Sequence, residues 1–122
     1  MSTCAETTDF NNRVITSPNF PNGYRNNETC GWTIEAEEGQ IIELTMETFD
    51  LEYSNDCSYD SVQAFDGRNS SSRSILAKKL CGTHGTMPKK FRTTGKYLYL
   101  EFISDLTRIE KGFRFFYSVK GG

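Results

Sequence analysis

The chain has one histidine in 122 residues, His84. A triad hydrolase would have to be built on that side chain, which stands beside Gly85 in a stretch that reads as an exposed loop. No Cys-x-x-Cys pair occurs and no second histidine accompanies the first, so a zinc site has no ligand set to work with. No apolar run approaches the ~20 residues that cross a bilayer, and no transmembrane segment is expected. No segment sustains a 3.6-residue apolar stripe beyond two turns, which argues against helices. Internal repeats and low-complexity tracts are absent too. The chain opens Met1-Ser2 with no signal peptide. Residues 1–3 are therefore expected to be linker or vector-derived, residues 4–120 the folded domain, and residues 121–122 a linker or tag remnant.

Aromatic residues are plentiful: nine Phe, six Tyr and one Trp. Side chains of this kind suit sheets and cores. The length fits one domain with a single core. Four cysteines stand at 4, 30, 57 and 81. An even number in a small domain points to two disulfides and an oxidising, extracellular setting. Counting alone leaves three connectivities open. Two sequons, Asn27-Glu28-Thr29 and Asn69-Ser70-Ser71, agree with secretion and mark Asn27 and Asn69 as candidate glycosylation sites.

Net charge is only −2, but the charges are sorted along the chain. Glu28 to Asp66 holds eleven acidic residues and no Lys or Arg, whereas Arg68 to Lys96 holds eight basic residues and no acid. Either acidic and basic strands pair across a sheet, or the domain has one pole for cations and another for anions. No nucleic-acid partner is expected.

The periodicity is that of strands. Arg13–Thr16 is a short strand candidate, followed by the turn-rich Ser17-Pro18-Asn19-Phe20-Pro21-Asn22-Gly23. Cys30, Trp32 and Ile34 share a face. After a turn at Glu37-Glu38-Gly39-Gln40, Ile41–Phe49 alternates, with Ile42, Leu44 and Met46 on one side and Glu43, Thr45 and Glu47 on the other. Asp60–Phe65 alternates and ends at Asp66-Gly67, a turn signal. Ser74–Leu80 reads equally as strand or helical turn. Tyr97–Ile103 presents Leu98, Leu100 and Phe102 together, and Gly112–Val119 presents Phe113, Phe115, Tyr117 and Val119. Seven or more short strands with polar turns predict an all-β, two-sheet antiparallel sandwich.

The segment richest in chemistry is Phe49 to Val62, a carboxylate-dense loop pinned by Cys57 and leading into a strand. A second acidic loop, Ser104-Asp105, follows the strand that ends at Ile103. Crowded carboxylates repel and call for a cation. Oxygen ligands without imidazole or thiolate suit calcium, although the EF-hand spacing is absent.

Taken in order, these pieces resemble the CUB domain family. The matching features are Cys4, Ser17-Pro18-Asn19-Phe20-Pro21 with Tyr24, Cys30-Gly31-Trp32, Phe49-Asp50-Leu51-Glu52 and Cys57-Ser58-Tyr59-Asp60. They continue with Asp66-Gly67, Leu80-Cys81-Gly82, Phe102-Ile103-Ser104-Asp105 and Gly112-Phe113. The resemblance spans Cys4 to Lys120. It implies a jelly-roll-like extracellular sandwich with disulfides Cys4–Cys30 and Cys57–Cys81. It also implies calcium held by Glu52, Asp60 and Asp105, with Tyr24 steadying the glutamate. In the turn Leu106-Thr107-Arg108, Thr107 can add its carbonyl oxygen. Arg108 has no acceptor on its side chain; many calcium-binding relatives have Asn there.

The function implied is calcium-dependent protein recognition, in which a partner's Lys or Arg docks on Glu52, Asp60 and Asp105 and packs on Tyr24. Such a module is not an enzyme, although its parent can be one, such as an extracellular protease. It is expected to belong to a larger multidomain extracellular protein. A second reading takes the basic block, Lys78, Lys79, Lys89, Lys90 and Arg92, as a site for glycosaminoglycan, other glycans or an anionic surface, since the CUB relatives called spermadhesins bind glycans.

Overall fold

The computed structural model describes residues 8–9, 13–17, 29–51, 57, 60–69, 75–82, 90–104 and 112–121. Nine strands run through them: β1 (Thr8–Asp9), β2 (Val14–Thr16), β3 (Thr29–Glu35), β4 (Gln40–Asp50), β5 (Ser61–Phe65), β6 (Ile75–Leu80), β7 (Lys90–Arg92), β8 (Tyr97–Ile103) and β9 (Gly112–Gly121). They form two antiparallel sheets, one in the order β1-β2-β9-β4-β7 and the other in the order β3-β8-β5-β6. There is no helix among the described residues. The architecture is the all-β sandwich that the alternating sequence predicts.

Alternation translates directly into packing. β3 buries Cys30, Trp32 and Ile34, and β8 buries Leu98, Leu100 and Phe102. From the facing sheet come Ile15, Ile42, Leu44, Met46, Phe113, Phe115 and Tyr117. The centre is aromatic. The Phe113 ring lies 6.0 Å from Trp32 at 90°, 5.2 Å from Phe102 and 5.1 Å from Phe115. Edge-to-face contacts of this kind add to the burial of each ring.

Three local features depart from simple alternation. In β4 the register with β9 shifts between Met46 and Thr48, leaving Glu47 as the extra residue of a bulge. The bulge moves Phe49 onto the core face, and Leu51 follows it. In β5 both faces are covered: Val62 and Ala64 face the core, while Ser61 and Phe65 are buried on the other side. Phe65 rests on Tyr99, with centroids 5.9 Å apart. The Ser74–Leu80 stretch, ambiguous in sequence, is a strand, and its register with β5 shifts twice. Val119 is only half-buried, toward the end of β9.

The turn between β3 and β4 needs its glycine. Gly39 sits at φ 83°, a region that side chains disfavour. Gln40 closes the turn by donating its N–H to the Glu37 carbonyl (3.0 Å), while its side-chain oxygen accepts from the Glu37 N–H (2.8 Å).

Gly31, inside β3, is required for another reason. A Cβ there would overlap the Tyr99 hydroxyl and stand 2.7 Å from the ring carbon Cζ. Tyr99 lies diagonally across on β8, since Thr33 is its register partner and Glu101 is that of Gly31. The ring therefore fills the space a side chain would take. Burial, and then the nearby Glu101 carboxylate, raise the pKa of the Tyr99 hydroxyl. Gly31→Ala is expected to destabilise the domain by about 1–3 kcal/mol, the usual range for overpacking. Denaturant titration checks this, and an unchanged midpoint would mean that Tyr99 swings away freely.

Candidate functional site

Strand register decides which loops share an end of the sandwich. Ile103, the last residue of β8, pairs with Thr29 at the start of β3 and with Ser61 at the start of β5. In the other sheet Asp50, the last residue of β4, pairs with Gly112 at the start of β9. Just beyond, the Leu51 N–H donates to the Gly82 carbonyl at 3.1 Å, and the Cys57–Cys81 disulfide closes the open end of the β5–β6 hairpin with a Cα–Cα distance of 5.5 Å. The described ends flanking the acidic segment, the Ser104 segment and the segment before β3 thus converge on one pole.

Asp60 is the described carboxylate of the expected ligand set. It is fully buried, at 0% exposure. Continuing the Ser61–Ile103 register by one residue sets Asp60 opposite Ser104, itself 4% exposed. A carboxylate taken wholly out of water needs compensating charge or hydrogen bonds. On its approach Cys57 adopts φ 54°, unusual for a residue with a side chain. Glu52, Asp105, Thr107 and Tyr24 lie outside the described residues, as do Cys4, Asn27, His84 and Lys89. Among the described residues no three His, Cys, Asp or Glu side chains stand together as a metal-holding group. Cys30, the other expected bridge partner within the described chain, is disulfide-bonded and buried.

The charges sorted along the sequence meet across the sheets. Glu43, which alternation places on the outer face, is only 6% exposed. Its register partner Arg92 donates Nε to Oε2 at 2.7 Å, and Lys120 Nζ stands 4.0 Å from Oε1. The hydrogen bond from Arg92 holds the Glu43 carboxyl below the usual carboxylate range. Burial opposes this, and the charges of Arg92, Lys120 and Lys90 reinforce it. Lys96 bridges Glu38 at 2.7 Å and Glu35 at 3.4 Å. Arg114 pairs with Glu47, the bulge residue. Of the expected anion-binding set, Lys90 is exposed on β7, Lys78 and Lys79 lie in β6, and Arg92 is engaged with Glu43.

By alternation alone Glu43 is an ordinary outward residue. The signal for its role was non-local, an arginine 49 residues away in the partner strand. Asp66 is expected at a turn and as part of the family-matching pair Asp66-Gly67. Its carboxylate accepts the N–H of Thr94 (3.0 Å) and the Thr94 hydroxyl (2.7 Å), bracing the turn before β8. A separate depression, 710 Å³ in volume, lies at the far end between Arg13, Glu35, Ala36, Gln40, Lys96 and Val119.

Comparison with known proteins gives concordant results. The family model described as "CUB domain" matches residues 4–117. Human Tolloid-like protein 1 is 34% identical over 109 residues, covering 89% of this chain and 10% of that protein. Human procollagen C-endopeptidase enhancer 1 is 39% identical over 101 residues, covering 82% of this chain and 22% of that protein. The chain thus spans well under a third of either relative. A solved MASP-1 CUB2 domain bound to Ca2+ superposes with a TM-score of 0.71 at 30% identity, covering 85% of this chain and 88% of that one.

Proposed function

The chain belongs to the CUB domain family, and on that premise we propose that it is a non-catalytic, extracellular recognition module whose docking site is organised by calcium. The observation that carries this reading is Asp60: a carboxylate at 0% exposure, set where β5 begins beside the end of β8. The donors gathered in the sequence around that point are oxygens, which fits a hard cation and excludes a soft one. Glu52, Asp60, Asp105 and the Thr107 carbonyl would hold it. Bound calcium supplies charge compensation and fixes the loops that carry these groups.

Three carboxylates against one divalent cation leave one negative charge. Glu52 and Asp105 then accept hydrogen bonds from a partner's Lys or Arg, whose stem packs on Tyr24, while Asp60, expected from sequence to share in that docking, is wholly buried and serves the ion alone. A single exposed ion pair of ~1–4 kcal/mol corresponds to weak affinity by itself. Tight attachment therefore draws on surrounding contacts or on several modules in one larger protein. An extracellular setting is supported by the Cys57–Cys81 disulfide. The engagement of Arg92 with Glu43 favours this reading over an anion-binding role for the basic block.

Thermal unfolding tests the proposal. Calcium at a hundred times its Kd should stabilise the domain by about 2.7 kcal/mol, a rise in Tm of roughly 10 °C for a chain of this size. Asp60→Asn, which keeps the side-chain shape, should abolish the rise. No shift up to roughly ten millimolar calcium, well above the usual Kd of extracellular sites, would sink the calcium assignment. A normal shift in Asp60→Asn would place the ion elsewhere. Binding to a cationic partner should be lost in EDTA and in Asp105→Ala.

A further inference from the structure

The fold splits the basic block that the sequence presents as one run. β6, with Lys78 and Lys79, belongs to one sheet, and β7, with Lys90 and Arg92, belongs to the other. The neighbours that Lys90 and Arg92 acquire come from β9 instead. Phe113, Phe115 and Tyr117 turn inward, so Arg114, Phe116 and Lys120 stand on the outer side of the same strand.

Phe116 is the one large apolar side chain exposed among the described residues. Its register partners are Val14 on β2 and Thr45 on β4, and Thr45 in turn pairs with Lys90 on β7. Directly opposed residues share a face of a sheet. Val14, Phe116, Thr45 and Lys90 therefore form one row across four strands, about 14 Å wide at the usual strand spacing. Val14 and Thr45 are half-buried, while Lys90, Arg92 and Lys120 are exposed.

A single exposed phenylalanine is ordinary on a protein surface. What surrounds this one is not. Arg114 stands two residues before it on the same face, and Arg92 stands one row beyond Lys90. Both guanidinium groups are already held in place: Glu43 holds Arg92 through Nε, and Glu47 holds Arg114 through a terminal nitrogen. Each keeps further N–H donors, and the Arg92 side chain is 68% exposed. A side chain fixed beforehand loses little freedom when it takes a second acceptor. Four cations, Lys90, Arg92, Arg114 and Lys120, share this face with two carboxylates, Glu43 and Glu47, both of them engaged. The remaining charge is positive. An aromatic anchor ringed by arginine and lysine has the composition of an interface centre.

We propose that this face docks an acidic protein segment, which sets an apolar side chain on Phe116 and its carboxylates against Lys90, Arg92 and Arg114. Charge complementarity selects the acid. The exposed ring selects a peptide over a sulfated glycan, which has no apolar side chain to place there. None of these residues belongs to the expected calcium ligand set, so the contact needs no ion. The domain then has two docking surfaces of opposite sign.

The test titrates the isotope-labelled chain and follows its amide signals by NMR. The probes are a capped heptapeptide of glutamates around a central leucine, its all-glutamate counterpart and a heparin oligosaccharide. The leucine peptide should shift the signals of Thr45, Phe116 and Lys90, equally with calcium and with EDTA. The all-glutamate peptide should bind several-fold more weakly. Phe116→Ala should weaken the leucine peptide by about tenfold, the scale of an interface hot spot, while leaving the unfolding midpoint and the calcium response unchanged. Phe116→Leu should restore most of the loss, and Lys90→Glu with Lys120→Glu should abolish binding. Absence of shifts on this face overturns the proposal, as does equal affinity for the wild type and Phe116→Ala. Heparin binding tighter than that of the leucine peptide, and indifferent to Phe116→Ala, assigns the face to a glycan and also overturns it.

Discussion

Phe113→Ala should lower the unfolding free energy by about 3–5 kcal/mol, the range for truncating a buried aromatic ring. The ring is at 0% exposure and touches Trp32 and Phe102 of one sheet and Phe115 of its own. Its loss opens a cavity between the layers that rigid neighbours fill only in part. Small domains have only about 5–15 kcal/mol in total, so the variant should sit near the folding threshold. The same strand supplies the control. Phe116, three residues along, is 38% exposed on the outer face, and Phe116→Ala should change stability by no more than about 0.5 kcal/mol. Urea titration of both variants gives the comparison. Equal losses at the two positions would show that the alternation of β9 does not separate core from surface.

Removing the Cys57–Cys81 bridge is the second large effect. The cysteines are 24 residues apart, and the chain-entropy relation for a loop of that size gives about 3–4 kcal/mol. The bridge closes the open end of the β5–β6 hairpin and ties down Cys57, three residues before buried Asp60. Cys57→Ala with Cys81→Ala should therefore lower the denaturant midpoint and weaken the calcium response together. A loss below about 1 kcal/mol would mean that the unfolded chain is already compact in this region.

Much of this fold was legible from alternation. Cys30-Trp32-Ile34, Ile42-Leu44-Met46 and Leu98-Leu100-Phe102 are buried as their period implies, because each strand lies between a packed face and a wetter one. Where that condition fails, periodicity misleads. β5 is covered on both faces, so Phe65 is as buried as its neighbour Ala64 is expected to be. β1 and β7 were not foreseen, since two or three residues carry no period and owe their strand form to β2 and β4. The bulge at Glu47 depends on the partner register of β9, which local sequence does not encode.

The candidate site was legible to a different degree. The acidic loop, its cysteine and Asp60 stood out as chemistry in the sequence. What the sequence did not show is that Asp60 is wholly buried, because that follows from the β5–β8 register and the segments meeting beyond it. Glu43 was missed for the same reason. A charge in an alternating strand looks solvated until its cross-strand neighbour is known.

The position of β9 also bears on how the domain carries force. Its ten residues, Gly112–Gly121, lie between β2 and β4 and pair with β4 from Gly112 to Gly121 along almost the full length of both strands. A tension applied at Gly121 acts along the axis of this strand, across its hydrogen bonds. The ladder then shears as a unit and its bonds share the load, whereas a strand peeled sideways would lose them one by one. In a protein stretched between anchored neighbours, such a module would pass the pull along its central strand to Gly112, at the pole where Asp50 ends β4.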